Sequence, residues 1–184
     1  MTTSIALADL THTGQIVAAN TVPLGISMIA AYAKDRLGER IDVSLFRYPD
    51  DLAAHLGAHA PRIVGFSNCS WNVELSHEFA RRLKAQRPET VIVFGGPNYP
   101  STAEKRQAFL SEHAAIDFHV DGEGEAAFVA LIESLEARGF DGQSIKRQRL
   151  EIANTDYLAD GELVQGAMAP RLADLDQVPS PYLA

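Results

Sequence analysis

The chain has 184 residues, 46% of them hydrophobic, so it is long enough to bury one complete core. Its 16 basic and 24 acidic residues give a net charge of −8, which makes nucleic acid and anionic membranes poor candidates as partners. No apolar stretch approaches the roughly 20 residues that span a bilayer and no signal segment precedes the first strand, so we expect a cytoplasmic protein. The single cysteine, Cys69, excludes a disulfide framework and a cysteine-ligated zinc or iron–sulfur site built from this chain alone.

The first half of the chain alternates predicted strands with predicted helices. Short apolar runs predict strands over residues 5–10, 41–46 and 63–66. Apolar residues at helical spacing between Ile26 and Leu37 predict a helix that Gly38 closes, and Pro49 begins a short helix that runs to about His59. This order is typical of a β-α-β-α-β unit.

The alternation continues to about residue 138. Strands are predicted over residues 91–94 and 116–120, and the fourth strand is apolar throughout, as expected for a strand covered on both faces. Asn72 or a neighbour is expected to cap a helix through Lys84, Ser101 to cap the next, and residues 123–138 to form the last. The sequence therefore predicts an α/β fold with a doubly wound, five-stranded parallel sheet.

The pattern changes after Gly139. Residues 150–168 are predicted to form a β-hairpin around Asp160-Gly161, a dipeptide that favours a tight turn. Residues 171–184 are predicted to form an extended linker, because Pro179 and Pro181 disfavour a helix. We therefore expect a domain over residues 1–140, followed by an appendage and linker over residues 141–184.

Three loops follow predicted strands at what should be one edge of the sheet, where open parallel sheets bind ligands. Their sequences are Ser67-Asn68-Cys69-Ser70-Trp71-Asn72, Gly95-Gly96-Pro97-Asn98 and Asp121-Gly122-Glu123-Gly124-Glu125. The paired glycines would let the backbone pass close to a large ligand, although a tight strand-to-helix turn explains them as well. The pattern predicts a bound cofactor.

Single residues in these loops keep alternative interpretations. Trp71 could cover an aromatic ligand or pack between helix and sheet, and Cys69 is interpreted as a packing or contact residue because no base is adjacent. Glu123 and Glu125 would repel a phosphate, so that loop either caps its helix or offers backbone contacts to a neutral ligand. His12, in the first loop, could ligate a metal or lie exposed in solvent.

Five motifs together show a resemblance to a known family. They are Val64-Gly65-Phe66-Ser67, Trp71-Asn72, Gly95-Gly96-Pro97, Gly122-Glu123-Gly124-Glu125 and the terminal Val178-Pro179-Ser180-Pro181-Tyr182-Leu183. They resemble the amino-terminal cobalamin-binding domain of cobalamin-dependent radical S-adenosylmethionine enzymes over nearly the whole chain. The wider fold carries Asp-x-His-x-x-Gly after its first strand, whereas here the histidine of Asp9-Leu10-Thr11-His12-Thr13-Gly14 is shifted. The resemblance therefore points to the branch in which the lower cobalt ligand is commonly not this histidine.

The resemblance implies a Rossmann-like domain that positions cobalamin (vitamin B12, whose metal is cobalt) for methyl transfer or related radical chemistry. The iron–sulfur cluster and S-adenosylmethionine would lie in a radical S-adenosylmethionine barrel in cis, joined through the proline-rich terminus, because this chain has no CxxxCxxC motif. The implied cofactor-binding residues, none of them catalytic or metal-ligating, are Thr11, His12, Ser67, Asn68, Cys69, Ser70, Trp71, Gly95, Gly96, Pro97, Asn98, Gly122, Glu123, Gly124 and Glu125.

Two other classes of protein fit the same sheet topology. A flavodoxin-like carrier of flavin mononucleotide is one, because Thr11-His12-Thr13-Gly14-Gln15 loosely resembles a phosphate loop, but the hydroxyl expected at position 16 is replaced by Ile16. A degenerate module that keeps the fold and only mediates contacts between domains or subunits is the other.

Overall fold

The computed structural model describes residues 2–12 and 21–182. The strands are Thr3–Ala8 (β1), Ile41–Phe46 (β2), Ile63–Ser67 (β3), Val91–Gly95 (β4), Phe118–Val120 (β5), Thr155–Ala159 (β6) and Glu162–Gln165 (β7). The α-helices are Leu24–Leu37 (α1), Pro49–Ala58 (α2), Val73–Gln86 (α3), Ala103–Glu112 (α4), Gly124–Glu136 (α5) and Gly142–Gln148 (α6). Short 3₁₀ turns occur at Gly38–Arg40 and Leu175–Gln177.

The strands form one sheet in the order β2-β1-β3-β4-β5-β6-β7. The first five strands are parallel, which confirms the doubly wound α/β prediction. The hairpin β6–β7 does not stand apart from them: β6 pairs antiparallel with β5, with Val120 opposite Thr155, and extends the sheet to seven strands. This pairing satisfies backbone groups that β5 would otherwise leave exposed at an edge. The domain boundary at residue 140 stays a prediction.

Helices cover both faces of the sheet. One core layer, which we call the cavity face, packs α1, α5 and α6 against alternate strand residues such as Leu7, Val93 and Val120. The other, which we call the packed face, places α2, α3 and α4 over the intervening residues, including Phe66 and Phe94. The continuous apolar runs of the central strands follow from this, because both sides of each strand are buried.

Several local predictions need correction. Thr102, not Ser101, precedes α4, and its hydroxyl oxygen accepts a hydrogen bond from the Lys105 backbone N–H at 3.4 Å. The fifth strand begins at Phe118 rather than Ile116. Helix α6 was not predicted, because it is only seven residues long and Ile145 is its one buried residue.

The described part of the segment after β7, residues 166–182, is irregular apart from the 3₁₀ turn at Leu175–Gln177, and we predicted no helix there. Among the described residues, no helix combines the length and apolar character needed to cross a membrane.

Candidate functional site

The carboxyl ends of β1, β3, β4 and β5 open into a cavity of about 520 Å³ on the cavity face. Helices α1 and α5 form its outer wall through residues such as Ile26, Ile29 and Phe128, and the sheet forms its floor. This is the edge at which parallel α/β sheets bind ligands, and the volume is in the range of small-molecule sites.

Gly65 forms part of the floor of the cavity. It lies in the middle of β3, and a Cβ built on it would meet the Leu7 side chain at 2.6 Å, so Leu7 packs across this glycine. Leu7, Gly65 and Val93 together form an apolar floor between the sheet and the two helices, which we call the slot. The slot therefore suits an apolar, flat part of a ligand.

The loops after β3 and β4 are fastened to each other by Asn68, which is fully buried. Its backbone N–H donates to the Gly95 carbonyl at 2.7 Å, and its side-chain amide donates to the Asn98 carbonyl at 2.7 Å. Gly96 has φ 132°, and a Cβ there would lie 2.8 Å from the Asn68 carbonyl oxygen. Only glycine fits at position 96, so the backbone itself forms this part of the cavity wall.

Asp9, at the end of β1, organises the polar side of the cavity. Its carboxylate accepts hydrogen bonds from the Ser67 hydroxyl at 2.5 Å, the Asn72 amide at 3.0 Å and the Arg47 guanidinium at 2.9 Å. Asn72 also donates to the Ser67 hydroxyl oxygen at 2.8 Å. The Ser67 hydroxyl is thus fixed, with one lone pair left to accept a hydrogen bond from a ligand.

Cys69 and Trp71 lie on the same side of the cavity. Burial, and then the charge of Asp9, raises the pKa of the Cys69 thiol, which therefore stays protonated and is a poor nucleophile. Trp71 is 59% exposed, so it is not packed between helix and sheet. The Trp71 backbone carbonyl lies 2.8 Å from Nε2 of His12, so this ring nitrogen already has a hydrogen-bond partner.

The loop after β5 closes the far side. A Cβ on Gly124 would lie 2.9 Å from the Ile29 side chain, so glycine here permits the close approach of α5 to α1. Glu123 and Glu125 both line the cavity, and the side chain of Glu123 accepts a hydrogen bond from the Leu172 backbone N–H at 2.8 Å.

The structure brings together most of the predicted site residues. Those that line the cavity are Ser67, Cys69, Trp71, Gly95, Gly96, Pro97, Gly122, Glu123, Gly124 and Glu125. The others, which are not among the lining residues of the described chain, are Thr11, His12, Asn68, Ser70 and Asn98. The rest of the first loop, Thr13-Gly14-Gln15, lies outside the described residues.

Sequence reasoning missed several lining residues, chiefly Asp9, Gly25, Gly65 and Phe128. Asp9 carried a usable signal, because it directly follows the first apolar run at the same sheet edge as the other loops. Gly65 lies within a strand, where a glycine commonly marks a close approach of another group.

On the packed face, His119 is fully buried and stacks on Tyr99 with ring centroids 3.5 Å apart. Neither of its ring nitrogens has a hydrogen-bond partner. Burial, together with the charge of Arg106, lowers the pKa of His119 to about 3. Within residues 2–12 and 21–182, no cluster of three or more histidine, cysteine or carboxylate side chains could hold a metal ion.

The chain is an open α/β domain with a cavity at the carboxyl edge of its sheet, the edge at which domains of this class bind ligands. A model of the B12-binding domain family matches residues 14–132, well over half of the chain. The chain belongs to the B12-binding domain family.

Similar proteins agree with this assignment. The cobalamin-dependent radical SAM methyltransferase TokK of Streptomyces tokunonensis is 28% identical over 88% of this chain, and the 2-(S-pantetheinyl)-carbapenam-3-carboxylate methyltransferase of Streptantibioticus cattleyicolor is 32% identical over 69%. The solved structure of OxsB, a cobalamin-dependent S-adenosylmethionine radical enzyme, with aqua-cobalamin and S-adenosylmethionine bound, covers 99% of the chain with a TM-score of 0.68 and 16% identity. That likeness shows the fold.

The chain corresponds to only part of these larger proteins. It spans 23% of TokK, 17% of the carbapenam methyltransferase and 24% of OxsB. A cobalamin-binding protein from Desulfitobacterium hafniense shares the fold at a TM-score of 0.52, and there the match covers 58% of that chain.

Proposed function

We propose that this chain holds cobalamin in the glycine-lined cavity between the sheet and helices α1 and α5. The observation that carries the proposal is the combination of an apolar slot over Gly65 with a wider opening walled by the backbone of Gly95 and Gly96. Cobalamin combines a broad macrocycle bearing amide side chains with a tail that ends in a flat, apolar base. In this proposal the apolar slot would hold the base, and the glycine-walled opening would face the edge of the macrocycle.

The polar groups around the opening also suit this ligand. Cobalamin's peripheral amides can donate to the fixed Ser67 hydroxyl and to the carboxylates of Glu123 and Glu125, and they can accept from backbone N–H groups. The carboxylates disfavour a doubly charged phosphate monoester at the same opening, which supports cobalamin, whose one phosphate is a singly charged diester, over flavin mononucleotide.

We propose that no histidine of the described chain coordinates the metal of the cofactor. No imidazole is among the described residues that line the cavity, and Nε2 of His12 is engaged with the Trp71 carbonyl. The protonated Cys69 thiol is likewise a poor ligand. The chain therefore acts by binding, orienting and shielding the cofactor.

We further propose that the chain serves a cobalamin-dependent radical S-adenosylmethionine methyltransferase whose barrel lies in cis and holds the iron–sulfur cluster and S-adenosylmethionine. Two relatives are named as methyltransferases, and the chain matches a quarter or less of each. Bound cobalamin supplies the carrier for methyl transfer or related radical chemistry. A cytoplasmic location and the lack of nucleic-acid or membrane partners stay predictions.

Substitution of two glycines tests the proposed binding site. Only one of them lines the cavity, but both have room for a side chain. Gly25 lines the cavity and Gly57 lies in α2 on the packed face; a Cβ on either one meets nothing within 4 Å. Hydroxocobalamin titration, followed by visible absorbance and gel filtration, should show stoichiometric retention by the wild type and by Gly57→Phe. Gly25→Phe should bind at least tenfold more weakly, because its ring occupies the cavity.

A parallel titration with flavin mononucleotide distinguishes the alternatives. If flavin is retained and cobalamin passes through, the chain is a flavin carrier. If neither is retained, the cofactor-binding proposal fails and a contact module remains. Equal cobalamin affinity in Gly25→Phe and Gly57→Phe would place the binding site elsewhere.

A further inference from the structure

The C-terminal segment over residues 167–172, which we call the strap, runs beside the loop that closes the far side of the cavity. It follows the hairpin β6–β7, and the Met168 sulfur lies 3.5 Å from where a Cβ of Gly122 would stand. Met168 itself is 66% exposed. The strap therefore borders a lining residue of the cavity without filling the cavity.

Asn154 connects the strap to the loop between β5 and α5 through hydrogen bonds. It is buried, with φ 53°, a left-handed conformation that asparagine tolerates better than most residues. Its side-chain oxygen accepts from the Ala169 N–H at 2.6 Å, while its amide donates to the Glu123 carbonyl at 3.3 Å. Its backbone N–H donates to the Ala167 carbonyl at 3.0 Å, and its carbonyl accepts from the Asp121 N–H at 2.8 Å.

Glu123 completes the connection from the cavity side. One carboxylate oxygen accepts the Leu172 backbone N–H at 2.8 Å, and the residue also lines the cavity. A single side chain thus contacts both the strap and the space assigned to the ligand. Hydrogen bonds to a carboxylate are about twice as strong as those between neutral groups.

The strap has little freedom where it begins. A Cβ on Gly166 would lie 1.7 Å from the Ile152 carbonyl oxygen, so only glycine allows the chain to cross there. The Gly166 N–H donates to the Thr155 carbonyl at 2.9 Å. The start of the strap is therefore fixed on the sheet, and Asn154 and Glu123 determine the path of the rest.

We propose that Asn154 and Glu123 form a latch that couples occupancy of the cavity to the position of the strap. The proposal rests on the cobalamin-binding function above. A ligand that orders the Gly122–Glu123 loop strengthens the hold on residues 169 and 172, and by reciprocity a held strap strengthens ligand binding. Asn154 and Glu123 are positioning residues in this account.

The strap contains a convenient probe, because trypsin cleaves after Arg171, which is exposed. The rate of this cleavage, followed by mass spectrometry, is measured for the wild type, Glu123→Ala and Asn154→Gly, with and without saturating hydroxocobalamin. Asn154→Gly removes the amide but keeps the left-handed backbone accessible. Glu89→Ala is the control, since it also removes one carboxylate but lies exposed just before β4, at the opposite end of the sheet from the cavity.

We expect hydroxocobalamin to slow cleavage after Arg171 at least threefold in the wild type and in Glu89→Ala. Glu123→Ala and Asn154→Gly should be cleaved at least threefold faster without ligand, and bound cobalamin should no longer protect them. Wild-type rates in both latch variants overturn the proposal, as does cobalamin that is retained on gel filtration without slowing cleavage. If the wild type retains no cobalamin, the proposed function and the coupling both fail, and the ligand-free rates alone decide whether the latch holds the strap.

Discussion

The two faces of the sheet differ most where β3 and β4 end. On the cavity face the strand residues here are Gly65, Ser67 and Gly95, which are small or lack a side chain, and space remains under α1 and α5. On the packed face the intervening residues are Phe66 and Phe94, whose ring centroids are 5.3 Å apart within a filled layer. Because neighbouring strand residues point to opposite faces, one stretch of sequence builds both a cavity and a solid support for it.

The comparison shows how a marginally stable domain can keep a cavity. The cavity face has few side-chain contacts along the floor of the cavity. On the packed face, aromatic rings pack on the opposite side of the same strands. His119 and Tyr99 lie there, and Arg106 joins the strand and loop behind the cavity by donating to Asp156 at 3.0 Å and Asp121 at 2.5 Å. The loops around the cavity are therefore backed by a close-packed layer.

We expect the largest effect from Gly96→Ala, which adds a side chain where the loop after β4 packs against Asn68. The new Cβ combines a left-handed φ of 132° with a 2.8 Å approach to the Asn68 carbonyl. We expect a loss of about 3 kcal/mol in the free energy of unfolding, measured by urea denaturation, and at least tenfold weaker hydroxocobalamin binding.

Gly161→Ala separates backbone strain from the contact with Asn68. Gly161 also has a left-handed φ, 81°, but a Cβ there meets nothing within 4 Å. It should lose only about 1 kcal/mol and bind cobalamin as the wild type does. Equal losses in the two variants would show that the contact with Asn68 is unimportant.

The packed face should make the protein sensitive to acid. His119 is neutral in the fold because burial lowers its pKa to about 3, while the unfolded chain takes up the proton near pH 6.5. Stability should therefore be complete above pH 6.5 and fall as the pH drops toward 3, with a loss on the order of 2 kcal/mol at pH 5 from this residue.

His119→Phe tests this assignment, since it keeps a ring to stack on Tyr99 and removes the titrating group. Urea denaturation between pH 7.5 and pH 5 should show a shallower decline than in the wild type. Some decline remains because burial also lowers the pKa of His77, to about 4. An unchanged slope in His119→Phe would contradict the account.

A smaller effect is expected from Asp9→Asn on the cavity face. An amide presents one acceptor where the carboxylate accepts from Ser67, Asn72 and Arg47, so the network loses part of its bonding. We expect a loss of about 1 kcal/mol in unfolding free energy and about threefold weaker cobalamin binding. Glu89→Gln removes one exposed charge elsewhere and should change neither value, which controls for net charge.

The parallel sheet and most of the cavity loops could be predicted from the sequence, because both leave clear patterns in it. Strands buried on both faces are continuous apolar runs, such as residues 91–94, and their loops must meet at one edge. Pairing of the hairpin with β5 could not be predicted, because a hairpin pattern does not indicate which strand it joins. The bond between Asp9 and Ser67 joins residues 58 positions apart, so only the fold reveals it.

The cavity could not be predicted from the sequence either, because it depends on how the helices pack on the sheet. Gly65 is an ordinary small residue within a strand until α1 and α5 are placed over it. The face on which it opens follows only from the packing of Phe66 and Phe94 on the other side. The helix α6 was missed because seven residues with a single buried side chain carry too weak a periodic signal.

The most direct test of the central claim is a ¹H–¹⁵N chemical-shift map of the chain with and without saturating hydroxocobalamin. The account predicts that the large shift changes fall on the cavity face, at the backbone amides of Gly65, Gly95 and Gly124, while those of Phe109 and Leu110 in α4 stay unchanged. Changes concentrated on the packed face, or a spectrum unaltered by a retained ligand, would contradict it.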